Sequence, residues 1–189
     1  MITNAMTVIL LATITFILVS IVLRSFTNGI TPTPTSLKVK QEVIRVAEAY
    51  NPSTIADFGA GWGTMAIAFS KEFPTATVYA YETSLIPFLY MKGMIRLRGY
   101  RNIVVIRKDF FTASPEQFDL IYCYLFTRAM RELSITLSTY RGVVISNTFS
   151  LPGVTPYSSV QVSSWNITTP IYIYREQKGN LNIDKIVYE

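Results

Sequence analysis

The stretch Asp57-Phe58-Gly59-Ala60-Gly61-Trp62-Gly63 constrains this chain more than any other. An apolar run, Ser53-Thr54-Ile55-Ala56, precedes it, and a helix-like one, Thr64-Met65-Ala66-Ile67-Ala68-Phe69, follows. It reads as the turn from a first β-strand into a first helix. Three glycines at alternate positions allow a sharp turn and a close approach of backbone to ligand, because no Cβ intervenes. The start of the helix offers free N–H groups. An acidic residue at the strand end can face a cation or accept ligand hydrogen bonds. Such a strand–helix switch is a nucleotide-type cofactor site, and the loop by itself fits several cofactors.

Around this loop the chain alternates strand and helix. Strands are expected over 54–58, 77–81, 103–106, 118–124 and 142–146, and helices over 64–71, 84–98 and 127–137. Pro87 is tolerable in a first helical turn, and Gly99 is placed to end that helix. An amphipathic helix is expected over 37–50, with Ser36 as its cap, and Asn51-Pro52-Ser53 stops it. After the fifth strand the helical signal ceases. Two β-rich pieces remain, over 159–163 and 171–174, with a turn at Lys178-Gly179-Asn180. Alternation implies a parallel sheet covered on both faces, and the final pair implies an antiparallel edge.

The N-terminus is of another kind. No charge occurs from Thr7 to Leu23, and a span of about 17 apolar residues sits at the short end of what crosses a bilayer. A cleaved signal peptide wants a charged leader and a small-x-small site, and neither is present. The expectation is a retained anchor over 1–24, an arm over 25–36 carrying Gly29, Pro32 and Pro34, and one catalytic domain over 37–189. Arg24, Lys38 and Lys40 follow the span and no Lys or Arg precedes it. The positive-inside rule then places a single-pass protein with its C-terminal domain in the cytoplasm.

Composition excludes several chemistries. The 189 residues include no histidine and one cysteine, Cys123. His-based triads, His-ligated metals and an internal disulfide are therefore ruled out, and no metal partner is expected. Cys123 lies in an apolar strand and reads as a small core residue. The net charge of +5 suits attraction to anionic lipid headgroups. Without an aromatic platform or a basic cluster it does not point to a nucleic-acid partner.

The remaining candidates stand at the carboxyl ends of strands. Glu82 ends the second strand, 19 positions after Gly63, where a carboxylate accepts hydrogen bonds from ribose hydroxyls. Asp109 follows the third strand, with Phe110 and Phe111 beside it. Tyr122 and Tyr124 share one side of the fourth strand by alternation. Tyr124, nearer the strand end, is the better candidate to line the ligand crevice. Asp119, at the start of that strand, is too far from the carboxyl end to act as a base. Asn147, in Asn147-Thr148-Phe149 at the end of the fifth strand, is a second candidate to line it. An Asn/Asp-Pro-Pro-Tyr box is absent.

The glycine spacing G-x-G-x-G with Asp57 before it resembles the signature of class I S-adenosylmethionine-dependent methyltransferases, rather than the G-x-G-x-x-G of dinucleotide enzymes. The order of anchor, Gly29-x-x-Pro32-Thr33-Pro34 arm, amphipathic helix, Asp57 loop, Glu82, Asp109 and Tyr124-Leu125 is similar to the small membrane-anchored protein-lysine methyltransferases. Eukaryotic members modify the ATP synthase c-subunit and the adenine nucleotide translocase. The resemblance covers about residues 25–150 and implies a Rossmann-like class I methyltransferase sheet, mostly parallel with an antiparallel edge, behind one transmembrane helix. It implies S-adenosylmethionine as cofactor, held by Asp57, Gly59, Gly61, Gly63, Glu82, Asp109 and Phe110. Tyr124 and Asn147 fall to the catalytic, acceptor side. The implied acceptor is a lysine of a membrane protein. A lipid or quinone-like acceptor, or cofactor binding without turnover, is the alternative. The family usually carries an acidic residue where this chain has Trp62.

Overall fold

The computed structural model describes residues 5–16, 19, 35–164 and 167–175. Residues 5–16 are helical (α1), and their apolar side chains, among them Ile9, Leu10 and Phe16, are exposed. Among the described residues no helix is long and apolar enough to cross a membrane. The rest of the span expected over 1–24, the arm residues Gly29, Pro32, Thr33 and Pro34, and the turn at Lys178-Gly179-Asn180 lie outside the described residues.

From Leu37 the alternation appears as expected. The order is α2 (Leu37–Glu48), β1 (Thr54–Phe58), α3 (Thr64–Glu72), β2 (Thr77–Tyr81), α4 (Leu85–Arg98), β3 (Ile103–Ile106), β4 (Leu120–Cys123), α5 (Thr127–Thr136), β5 (Val143–Asn147), β6 (Ser158–Ser164) and β7 (Ile167–Tyr174). Ser36 caps α2 by accepting from the Val39 N–H at 3.4 Å. Gly99 ends α4 at φ 71°, a left-handed position that glycine adopts at little cost.

The seven strands among the described residues form one sheet, ordered β3-β2-β1-β4-β5-β7-β6. The first five are parallel, and β7 joins β5 and β6 antiparallel. The strand order reverses between β1 and β4. The crevice at the carboxyl ends of these two strands is therefore where an open sheet of this kind binds ligands.

Two apolar layers sandwich the sheet. On one face Val39, Val43 and Ala47 of α2, Met65 and Phe69 of α3, and Met91 and Ile95 of α4 pack on Ile55, Val78 and Leu120. On the other, Ala129, Met130 and Leu133 of α5 pack on Ile121, Cys123 and Val144. Strands buried on both sides read as unbroken apolar runs, which is why β4 is recognisable from Leu120-Ile121-Tyr122-Cys123.

Two strand starts differ by two or more residues from the sequence reading. β4 starts at Leu120 rather than Phe118, because Pro115–Gln117 forms a 3-10 turn that runs up to it. β7 starts four residues earlier, at Ile167, and so includes Pro170. Proline is excluded from inner strands when its missing N–H would face a neighbour. Here the Pro170 carbonyl accepts from Thr148 N at 2.8 Å, just past the end of β5. A residue's N–H and C=O point to the same side of its strand, so the missing donor faces a place where β5 has already stopped.

Candidate active site

The glycine loop is built by three left-handed residues. Gly59, Gly61 and Gly63 have φ of 76°, 55° and 79°. A Cβ at Gly59 would lie 2.8 Å from Leu125 Cδ2, and one at Gly63 would lie 2.7 Å from Met91 Cγ. Glycine is thus required twice over, by conformation and by contact. The loop is tied to the sheet by Ala60 N–H donating to the Tyr81 carbonyl at 2.8 Å.

Asp57 ends β1 beneath this loop and is 2% exposed. The Ala66 N–H, in the first turn of α3, donates to its carboxylate. The other oxygen, Oδ2, is the single buried side-chain N or O atom among the described residues with no hydrogen-bond partner. Burial pushes its carboxyl up to about 7, the Ala66 N–H opposes this, and the nearby Glu82 charge adds to it. An orphaned, buried carboxylate oxygen at a ligand crevice is the place for a cationic group.

Glu82 is also buried, and both of its oxygens are engaged. Oε2 accepts from Gly61 N at 2.9 Å and Oε1 from Ser84 N at 2.6 Å. Its place at a strand end points to a ribose. The structure gives it a second task, bracing the glycine loop through charge-assisted bonds, with lone pairs left on both oxygens.

Asp109 lies at the carboxyl end of β3 and is exposed. Its Oδ1 accepts from Phe111 N at 3.1 Å, capping a 3-10 turn. Phe110 stacks on Phe58 with centroids 5.0 Å apart and an interplanar angle of 17°. One face of its ring is therefore committed to the core. Trp62 meets Tyr90 of α4 edge-on at 5.3 Å.

On the β4–β5 side, Tyr124 is half-buried and stacks on Phe149 at 6.4 Å. Asn147 is 2% exposed. Its Nδ2 donates to the Tyr122 hydroxyl at 3.2 Å, and Thr148 Oγ1 donates to its Oδ1 at 3.0 Å. Tyr122 is in register with Asp57 across β1 and β4. Burial raises the pKa of its phenol far above the ordinary value, so it stays protonated. Thr35, from the end of the arm, reaches the same hydroxyl at 3.4 Å. Asn147 thus holds the Tyr122 hydroxyl. Cys123 is fully buried and its thiol is pushed up to about 12, so it is inert core, as its sequence setting indicates.

Three contacts have no signature in the sequence. One is the Glu82–Gly61 brace, and another is the Thr35–Tyr122 contact, since neither pair has a local signal. The third is Asn102, whose Nδ2 donates to the carbonyls of Ser70, Phe73 and Ala76 at 3.2, 3.1 and 3.0 Å and fixes the end of α3. Asp119 stands at the opposite end of the sheet. Its Oδ2 accepts from Ser53 and Thr54 N–H groups at 2.8 and 2.9 Å, consistent with its exclusion as a base.

The family model of the ANTKMT methyltransferase domain matches residues 57–158, from the loop carboxylate to the first residue of β6. No curated protein sequence matches the chain. Among solved structures, an RNA methyltransferase from Salinibacter ruber in complex with S-adenosyl-L-homocysteine aligns at 17% identity and a TM-score of 0.68. That alignment covers 77% of this chain and 95% of that one. A putative methyltransferase, yhhF, from Escherichia coli aligns at 12% identity and a TM-score of 0.59, over 77% of this chain and 90% of its own. The magnesium protoporphyrin IX methyltransferase of Synechocystis PCC 6803, solved with S-adenosylmethionine bound, aligns at 16% identity and a TM-score of 0.56, over 72% and 78%. At these identities the likeness is one of fold.

Proposed function

We propose, from the premise that this chain belongs to the ANTKMT methyltransferase domain family, that it transfers a methyl group from S-adenosylmethionine to a lysine amine of a membrane-associated protein. The family match spans more than half of the chain, so the chain is a methyltransferase. The cofactor reading is carried by one observation, the partnerless Oδ2 of Asp57 under a loop of three left-handed glycines. A ligand with an ammonium group fits that oxygen. Glu82 holds the loop and offers its spare lone pairs to ribose hydroxyls. Asp109 and Phe110 are assigned to the adenine.

Bound there, S-adenosylmethionine supplies an electrophilic methyl on a sulfonium, so no covalent enzyme intermediate is required. The protein's part is alignment and exclusion of water. A lysine attacks only when neutral, and its ordinary pKa near 10.4 makes desolvation in the pocket part of the work. Tyr124 and Phe149 supply an apolar wall for the lysine stem. With no histidine in the chain, the proton passes to solvent. Asn147 keeps Tyr122 in place at the floor.

The membrane assignment rests on the uncharged N-terminal segment. Tethering raises the effective concentration of acceptors in the same bilayer. The deciding experiment incubates the full chain with labelled S-adenosylmethionine and membranes from its own source. Label in a protein band, mapped to lysine by mass spectrometry, is the expected outcome. Label that extracts into organic solvent would move the assignment to a lipid or quinone-like acceptor. Bound cofactor with no label on any fraction would leave a binding module without turnover.

A further inference from the structure

No basic cluster is expected from the sequence reading, yet the chain's positive charge is gathered in one stretch. Residues 83–108 carry six Lys/Arg and no Asp/Glu, against 17 and 12 in the whole chain. The six are Lys92, Arg96, Arg98, Arg101, Arg107 and Lys108. All are exposed, and among the described residues none is in an ion pair. They lie on α4 and on both ends of β3, the outermost strand of the parallel side of the sheet.

The same surface is apolar between the charges. Leu85, Leu89 and Leu97 of α4 are 40%, 54% and 84% exposed. Positions 85, 89, 92 and 96 follow the i, i+4, i+7, i+11 spacing of one helix face, so Leu85 and Leu89 are followed along it by Lys92 and Arg96. The opposite face of α4 is the one that Met91 and Ile95 bury against the core. Exposed leucines and cations on one helix match an interface between acyl chains and anionic headgroups. A nucleic acid would use the charges and leave the leucines without a partner.

We propose that the exposed face of α4, with the β3 edge, docks on an anionic lipid surface as a second membrane contact, separate from the N-terminal segment. This rests on the proposed membrane placement. Arg107 and Lys108 stand at the carboxyl end of β3, beside Asp109. Docking therefore brings the rim of the candidate active site to the headgroup layer and selects acceptors at that depth.

The full chain as Leu97→Cys, spin-labelled, tests this, because the native Cys123 is buried and does not label. The protein is reconstituted with phosphatidylcholine vesicles and with vesicles containing phosphatidylserine. Oxygen collision with the label is expected to rise, and collision with a water-soluble relaxant to fall, only in the anionic vesicles. A label at Ile135→Cys on α5, on the other side of the sheet, is expected to stay aqueous in both. Adding Lys92→Glu and Arg96→Glu is expected to reverse the effect, at about fivefold in docking per charge removed. An aqueous label at 97 in protein that still sediments with vesicles overturns the docking and leaves the anchor standing. Protein that sediments with neither vesicle overturns both. Immersion that ignores lipid charge, or immobilisation by added RNA without immersion, also overturns it.

Discussion

The backbone N–H of Gly61 donates to Glu82 Oε2 at 2.9 Å, so the carboxylate at the end of β2 shapes the loop that follows β1. The proposed cofactor contact and the loop geometry thus share one side chain. Glu82→Ala is expected to lower thermal stability as well as affinity for S-adenosylmethionine. Two charge-assisted bonds are lost, at about 1.5–3 kcal/mol each. Glu82→Gln keeps one acceptor oxygen and should recover much of the stability while recovering less affinity. Equal recovery of both, by melting and by calorimetric binding, would separate the two roles and overturn the coupling.

The buried carboxyl of Asp57 makes a pH prediction with a definite sign. Burial lifts it from 3.8 to about 7. Between those values the native protein holds a proton that the unfolded chain has released. Stability without cofactor therefore falls as pH rises from about 4 to about 7, and is level above. Asp57→Asn cannot ionise and escapes that loss, on the order of 4 kcal/mol for the full shift. A cation bound at Oδ2 favours the carboxylate, so cofactor binding should release a proton near pH 6 and tighten as pH rises. Urea unfolding of both proteins across pH, and binding heats in buffers of different ionisation enthalpy, check the two halves. Parallel stability curves for the two proteins would refute the first half.

Features whose signals are local are legible in the amino-acid sequence alone. The glycine loop, Ser36 as a cap and Gly99 as a stop depend only on neighbours in the chain, and the strands of the parallel sheet on short apolar runs. The first half of β7 is not legible in that way, because Pro170 is acceptable only where β5 ends, and that is a tertiary fact. Asn147 announces itself by its place at a strand end. Its partner, the Tyr122 hydroxyl, is 25 residues away. The basic face of α4 is diluted in the whole-chain charge, and only the packing of Met91 and Ile95 into the core turns its leucines outward.

Gly63 is expected to tolerate nothing larger. It sits at φ 79°, and a Cβ there would meet Met91 Cγ at 2.7 Å, within the core layer. Gly63→Ala combines backbone strain of about 1 kcal/mol or more with displacement of a buried methionine. Melting temperature and cofactor affinity should both fall. Adding Met91→Ala relieves the clash but not the strain, so it should restore packing at the loop only in part. Full restoration would show that the left-handed conformation is not needed.

Tyr124 and Asp57 are assigned to opposite partners, and kinetics can separate them. Tyr124→Ala removes the aromatic partner of Phe149 and opens the acceptor side to water. Turnover should fall by about 10–100-fold, since each 1.4 kcal/mol of lost alignment is tenfold. Dissociation of S-adenosylmethionine should be unchanged. A matching loss of cofactor affinity would place Tyr124 in the cofactor site and displace it from the acceptor wall.

Thr148 is a β-branched residue at φ 70°, a conformation costly for its side chain. Two bonds hold it there, its N–H to the Pro170 carbonyl at 2.8 Å and its Oγ1 to Asn147 Oδ1 at 3.0 Å. The second bond fixes the amide that supports Tyr122. Strain at this position is therefore tied to alignment of the acceptor side. Thr148→Gly relieves the backbone by about 1 kcal/mol and keeps the N–H bond, but it frees the Asn147 amide. The melting temperature should hold or rise while turnover falls several-fold. Thr148→Ser, which keeps the hydroxyl, should retain activity. If Thr148→Gly loses stability and activity together, the strained turn serves the fold rather than the site.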